Sequence, residues 1–147
     1  MGTPSVCFVG TDRLGLAQLA AALTRRRGRS DILVQAMNVV PDDVAPAVRD
    51  VLAELSPRPY VSAPRPLDPA RLDRVDRVII VGGGATSGSV PPGEDWPEPP
   101  PVDPADIAAV RALRDRFDRR AADLVDELLI DPDQCCGEGC ATCVLDR

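Results

Sequence analysis

The chain has 147 residues, of which 44% are apolar, enough for one domain with a hydrophobic core of its own. Its formal charge of −6 excludes a general nucleic-acid binder, which needs a basic face to neutralise phosphates. No apolar run approaches the ~18–20 residues of a membrane span and no charged-then-apolar leader opens the chain, so a cytoplasmic protein without a membrane partner is expected.

All 17 basic residues are arginine, and histidine is absent. With one Trp, one Tyr and two Phe, the core must come mainly from Val, Leu, Ile and Ala. Ser5–Val9 is a short apolar run that reads as a buried strand. From Arg13 onward Leu16, Leu19, Ala20 and Leu23 mark one helical face, and Gly28 is a suitable stop. The run Arg25, Arg26, Arg27 and Arg29 falls at that helix's carboxyl end, where it complements the dipole. Asp31–Ala36 is a second strand, and Asp42 or Asp43 can cap a helix carrying Val44, Val48, Val51, Leu52 and Leu55. Pro46 suits the first turn of that helix.

Ser56–Pro69 is proline-rich and reads as irregular, with Tyr60–Ser62 as a short extended piece. Arg77–Val81 ("RVIIV") is the clearest buried strand, and residues 82–102 read as a long loop, first glycine-rich and then proline-rich. The last helix is expected to open at "DPAD", with Asp103 as N-cap, Pro104 at N1 and Asp106 at N3. Ile107, Val110, Leu113, Phe117, Ala121, Leu124 and Leu128 then recur at helical spacing. Residues 130–134 form a hinge, dividing a domain of residues 1–130 from a cysteine-rich tail of residues 131–147. Strands alternating with helices point to a parallel sheet covered on both faces, with the binding crevice beyond the strands' carboxyl ends. Gly10–Gly15 and Gly82–Gly84 both follow strands there and should share one rim.

Residues 5–129 resemble the low-molecular-weight protein tyrosine phosphatases, including their thioredoxin-coupled arsenate reductase branch. The resemblance rests on the "FVGT" and "QLA" frame of the first strand–loop–helix, on "DRVIIVGGGA", and on the Asp-Pro after the Trp-containing "EDWPEPPPVDP". It implies an α/β fold with a four-stranded parallel sheet and helices on both faces, the phosphotyrosine phosphatase I-like architecture. It also implies a phosphate loop of Cys, five residues, Arg, then Ser or Thr. In such a loop a thiolate attacks phosphorus, while backbone N–H groups, a helix N-terminus and the arginine hold the oxyanions.

Laid on that pattern, Gly10 stands at the nucleophile's place, Leu16 at the arginine's and Ala17 at the hydroxyl's. Asp12 adds a negative charge that would repel an incoming phosphate, and Gly82–Gly84 stand where arsenate reductases of this branch carry further cysteines. The family's catalytic residues are therefore absent from residues 1–130. Asp103 matches the family's general acid and serves equally as a helix cap. The loop reads either as a structural strand-to-helix turn or as a retained site for a small anion or ligand, drawing on Gly10, Thr11, Arg13, Gly15 and Asp103.

Cys7 lies within the first strand and is expected to be a buried structural thiol. The other four cysteines, Cys135, Cys136, Cys140 and Cys143, fall within nine residues as a CC-x3-C-x2-C array. Four thiolates complete the ligand set of zinc or a small iron–sulfur cluster, and Gly137 and Gly139 give the backbone freedom for a tight wrap. Redox-active thiols, or a tail without a dedicated role, are the other readings; the adjacent Cys135–Cys136 pair must sit in a turn to ligate jointly. "CCGEGCATCVLD" also resembles the core of the oxidoreductase-like domain, CCGxGCxxCVxD, although Leu145 stands where an aromatic residue usually precedes the aspartate.

The function these features suggest is a catalytically inactive phosphatase-like protein, acting as a binding, regulatory or redox-sensing module for an unknown protein or redox partner. The alternative is a thiol-dependent arsenate reductase or oxidoreductase. In that case the last helix ends near the crevice and the tail folds back over Gly10–Leu16.

Overall fold

A computed structural model describes residues 3–12, 14–28, 31–39, 44–55, 66–82, 94–96, 98–103 and 105–129. Four strands form one parallel sheet: β1 (Ser5–Gly10), β2 (Leu33–Asn38), β3 (Arg77–Val81) and β4 (Glu94–Trp96), in the order β2-β1-β3-β4. The helices are α1 (Leu16–Gly28), α2 (Pro46–Leu55), the single turn α3 (Pro69–Leu72) and α4 (Ile107–Leu129).

The central strand dictates the layering. Side chains of a strand alternate between faces, and every residue of β1 is buried, so both faces must be covered. Val6 and Phe8 join Ile79, Val81 and the apolar faces of α1, α2 and α4 in the larger core. Cys7 and Val9 pack on the other face with Met37, Ile80 and Leu72 of α3. Helices on both faces are thus observed, with the second face covered by a single turn among the described residues. Helix α1 is buried around most of its circumference, because α4 and α2 pack on the side that β1 and β2 do not cover. The Ala-rich sequence of α1 permits that close approach on several sides.

Aromatic residues are few but concentrated. The rings of Phe8 and Trp96 meet edge-on at 5.1 Å, and Trp96 and Phe117 lie 5.4 Å apart, joining β1, β4 and α4. Arginine–carboxylate pairs tie the same elements at the surface. Arg27 of α1 grips both oxygens of Asp118 at 2.8 and 2.7 Å, Arg77 of β3 engages Glu94 and Glu127, and Glu54 of α2 receives Arg111 and Arg114 of α4. Arg25 donates to the Val34 carbonyl at 2.8 Å. Two members of the basic run therefore have specific partners as well as a place at a helix end.

Several sequence expectations hold and several are corrected. Arg77–Val81 is β3 as read, α1 stops at Gly28, and Pro46 opens α2. The second strand is shifted two residues toward the carboxyl end, to Leu33–Asn38. The segment 82–102 is not loop throughout, since Glu94–Trp96 pairs with Ile79–Val81 as β4. The irregular reading of 56–69 fails at its end: Asp68 accepts from the Ala70 amide at 3.1 Å and caps α3, with Pro69 opening the turn.

The cap of α4 also differs from the reading. The Ala109 amide donates to Asp106 at 3.2 Å and the Val110 amide to the Asp106 carbonyl at 3.1 Å, so Asp106 caps a helix that opens at Ile107. Asp103 instead accepts from the Ala105 amide in a turn of its own. Tyr60–Ser62, Pro104, the 130–134 hinge and the helix-capping pair Asp42 and Asp43 lie outside the described residues.

Helix α4 runs antiparallel to the strands. Its last turn meets the amino end of β3 through Glu127 and Arg77, 2.9 Å apart, so its amino end lies at the strands' carboxyl edge. The expectation that the last helix ends near the crevice is therefore wrong; it begins there.

Candidate functional site

The sheet register builds the site. Gly10, the last residue of β1, pairs with Asn38 of β2 on one side and Val81 of β3 on the other. Beyond it the Thr11 amide and hydroxyl both donate to the Val81 carbonyl, at 2.9 and 3.0 Å, and the Val39 amide donates to the Gly10 carbonyl at 2.9 Å. The chain then turns into α1 through Gly15, whose φ of 89° suits glycine and whose neighbour across the gap is Val44. Gly82, with φ 106°, presses against this loop from β3: a Cβ there would lie 2.9 Å from the Asp12 nitrogen and 2.9 Å from the Thr11 hydroxyl. The shared rim read from the two glycine segments is real at Gly10–Gly15 and Gly82.

Inside the loop the occupant is Asp12. One carboxylate oxygen accepts from the Leu14 amide at 2.8 Å and from the Leu16 amide at 3.2 Å. Leu16 is the first residue of α1, so its N–H is one of those that a helix leaves without an intrahelical partner. The residue is only 8% exposed, and its second oxygen, Oδ1, has no hydrogen-bond partner among the described residues. Burial pushes the carboxyl above its ordinary value, while the amides of Leu14, Leu16, Asp12 itself and Gly15 pull it back down.

Beside it sits Asn38, 2% exposed, whose Nδ2 has no partner among the described residues. Its Oδ1 lies 2.6 Å from where a Cβ on Gly10 would stand, and Asp12 Oδ1 lies 3.4 Å from the same point. Gln18 on α1 is also buried, with both amide atoms unpartnered. Asn38 and the seating of Asp12 escape a reading of motifs. Asp12 stands four residues before the first residue of α1, outside the usual capping position, and nothing in "QAMN" marks Asn38 as part of a site.

Of the residues read as an anion or ligand site, the structure brings Gly10, Thr11 and Gly15 together. Asp103 is exposed and commits its carboxylate to its own turn; Arg13 lies outside the described residues. Cys7 is fully buried in the sheet, where burial pushes its thiol up to about 11, as expected of a structural cysteine. Cys135, Cys136, Cys140 and Cys143 are outside the described residues, among which no group of three or more His, Cys, Asp or Glu side chains could hold a metal ion. Among the described residues no helix is long and apolar enough to cross a membrane.

Solved structures superpose on this arrangement of a parallel sheet, a turn after β1 and a long final helix. An arsenate reductase in a phosphate-binding state matches with a TM-score of 0.73 and 20% identity over 85% of this chain and 98% of its own. The fold is that of the arsenate reductases and low-molecular-weight tyrosine phosphatases. A low-molecular-weight tyrosine phosphatase from Bacillus subtilis shares this phosphatase-like fold at a TM-score of 0.63, with 17% identity over 84% of this chain and 96% of its own. The thioredoxin-dependent arsenate reductase of Corynebacterium glutamicum matches at 0.67 and 22% identity over 86% of this chain, which spans 62% of that protein. No protein-family model and no curated protein matches the sequence.

Proposed function

We propose that this protein is a non-catalytic member of the phosphatase-like fold whose reactivity resides in its cysteine tail. The observation that carries the reading is the floor of the loop. Gly10 stands where the fold's nucleophile would be, and a Cβ at that position would sit 2.6 Å from Asn38 and 3.1 Å from the Ala17 methyl. Leu16, in the place of an anion-gripping guanidinium, is fully buried in the core and offers no donor beyond its backbone. Among the described residues this floor presents neither a sulfur to attack a tetrahedral centre nor a side-chain cation to stabilise it.

In this reading residues 1–130 form a scaffold, and Cys135, Cys136, Cys140 and Cys143 bind zinc or an iron–sulfur cluster. The protein then acts in the cytoplasm as a binding, regulatory or redox-sensing module for a protein or redox partner. Anaerobically purified protein should contain stoichiometric metal, colourless if zinc and absorbing in the visible if iron–sulfur. It should hydrolyse no aryl phosphate and reduce no arsenate, with or without Asp103→Asn. Turnover lost on that substitution would overturn the non-catalytic reading; metal-free protein with free thiols would overturn the metal role.

The likeness to solved arsenate reductases favours one rival, a thiol-dependent reductase that borrows its sulfurs from the tail. Geometry makes the route long, because α4 ends at the amino edge of the sheet, about 13 Å below the loop at ~3.3 Å per strand residue. Cys140 lies eleven residues past Leu129, a reach of up to ~36 Å when extended, so length alone permits the approach. Arsenate reduction with a thiol donor that disappears in Cys140→Ser or Cys143→Ser would select this rival.

A further inference from the structure

We propose that the acidic segment following α4 docks, through Asp131 and Asp133, on the arginine-bearing end of α1, with Arg26 as its principal partner. The docking fixes the pole of the molecule from which the cysteine array projects, the one opposite the Gly10–Gly15 loop. It goes beyond the non-catalytic reading and stands whether or not the cysteines hold metal.

The surface follows from where two helices end. Near the end of α1 the Arg25 guanidinium reaches the Val34 carbonyl, close to the start of β2, so the last turn of α1 lies at the strands' amino edge. Helix α4 ends at the same edge, where Glu127 meets Arg77. Between them runs a groove of about 350 Å³ lined by Arg26, Arg27, Ala122, Val125 and Asp126. Arg27 is committed to Asp118 and Arg25 to β2. Arg26 is exposed, and among the described residues no hydrogen bond or ion pair engages it.

Reach and charge select the occupant. Residues 131–147 carry four acids and one arginine, and Asp131 and Asp133 are the first two of those acids. The chain leaves α4 at Leu129, three residues past Asp126 on the groove's wall, and the four residues to Asp133 span up to ~14 Å when extended. A second cleft flanks the same end of α4 on the β4 side, with Arg77, Glu94, Asp95, Arg120, Asp123 and Glu127 in its walls. Both of its arginines are already paired, Arg77 with Glu94 and Glu127 and Arg120 with Glu98, so that cleft repels an acidic segment while the α1 side attracts it. Helix α4 has no basic residue in its own last turn, and the cation that meets its acidic continuation comes from α1. Ion pairs open to solvent steer and order a tethered segment while adding little to the stability of the fold. Docked in this way, the chain brings Cys135 and Cys136 to the strands' amino edge, and a partner of the cysteine array approaches that pole rather than the glycine rim.

The test is 15N relaxation at low salt on the full chain as purified, in wild type, in Arg26→Glu, and in Arg26→Glu combined with Asp131→Arg and Asp133→Arg. In wild type the backbone order parameters of Asp131, Asp133 and Gln134 should exceed ~0.6. They should fall below ~0.6 in Arg26→Glu and recover when the charges are swapped in the triple variant. Raising salt to about 0.5 M should loosen wild type in the same direction, because the pairs are exposed. A contact readout accompanies the dynamics: the Arg26 Nε–Hε resonance should move when Asp131 and Asp133 both become Asn, while that of Arg71, beside Leu72 on the other face of the sheet, stays in place. If Arg26→Glu does not fold by circular dichroism, Arg26→Ala is read in its place. Low order at all three amides in wild type, order indifferent to Arg26, or an Arg26 resonance indifferent to both aspartates would sink the proposal. Metal is measured on the same samples: a docked segment in metal-free protein refutes the metal role and leaves the docking standing, and metal in a protein with an undocked segment refutes the docking alone.

Discussion

At the scale of single residues, Gly10 and Asp12 decide what the loop can do. Placing a cysteine at position 10 would not by itself create a catalytic site. Its Cβ must displace the Asn38 side chain and crowd Ala17, a small-to-large change that costs about 1–3 kcal/mol in packed surroundings. Gly10→Cys should therefore melt earlier in urea than wild type and still turn over no aryl phosphate, because Asp12 and Leu16 remain in place. Asp12 makes a separate, pH-dependent prediction. Its carboxyl is raised mainly by burial, so the folded state holds the proton more tightly than the unfolded chain does. The sign follows: as pH rises from the unfolded value near ~4 through the raised folded value, this group makes folding progressively less favourable, and above that it contributes a constant penalty. Asp12→Asn keeps an acceptor for Leu14 and Leu16 but cannot ionise. Urea unfolding from about pH 4 to about pH 8 should show wild type losing stability relative to Asp12→Asn over that rise and running parallel to it afterwards.

At the scale of elements, β4 tests which forces hold the sheet's edge. Three residues make a weak strand, and Glu94–Trp96 has two anchors: Trp96 packed between Phe8 and Phe117, and Glu94 paired with Arg77. The ion pair is partly open to solvent, the setting in which such pairs contribute ~0–1 kcal/mol. A buried aromatic truncated to alanine costs ~3–5 kcal/mol. Trp96→Ala should thus destabilise the protein several-fold more than Arg77→Ala in the same denaturant series, and near-equal losses would mean that the charged stitch, not the aromatic cluster, holds the edge. The same element marks the limit of legibility in the sequence. "RVIIV" and the leucine–alanine stripe of α1 announce themselves because burial on both faces, or around a helix, demands uninterrupted apolar residues. Glu94–Trp96 contains two acids and one aromatic, and its strand character comes from pairing with β3, which no local pattern records. The shift of the α4 cap from Asp103 to Asp106 has a similar origin. Both are aspartates before a helical stripe, and the choice is made by which backbone amides each one meets. The glycine rim was visible because turns need glycine, while Asn38 was hidden because its role exists only through the β1–β2 register.

At the scale of the whole molecule, the described residues form a core that covers both faces of the sheet. The larger cluster runs from Val6 to Val125, with Leu128 packed against its edge, and both faces of the sheet are closed by residues before 130. The proposal that residues 131–147 are an appendage to this scaffold makes a direct prediction. A chain ended after Ile130 should then fold with a midpoint within ~0.5 kcal/mol of the full protein, the range of changes that touch no packed feature. On the proposed metal role it should also hold no metal, because Cys135, Cys136, Cys140 and Cys143 go with the tail and no comparable cluster is found among the described residues. Its single thiol, Cys7, is fully buried and held protonated with a value of about 11, so alkylation under native conditions should leave it untouched until denaturant opens the sheet. The two readouts separate the parts cleanly: metal retained by the shortened chain would place the ligands in the domain, and a large loss of stability would make the tail part of the fold rather than an appendage to it.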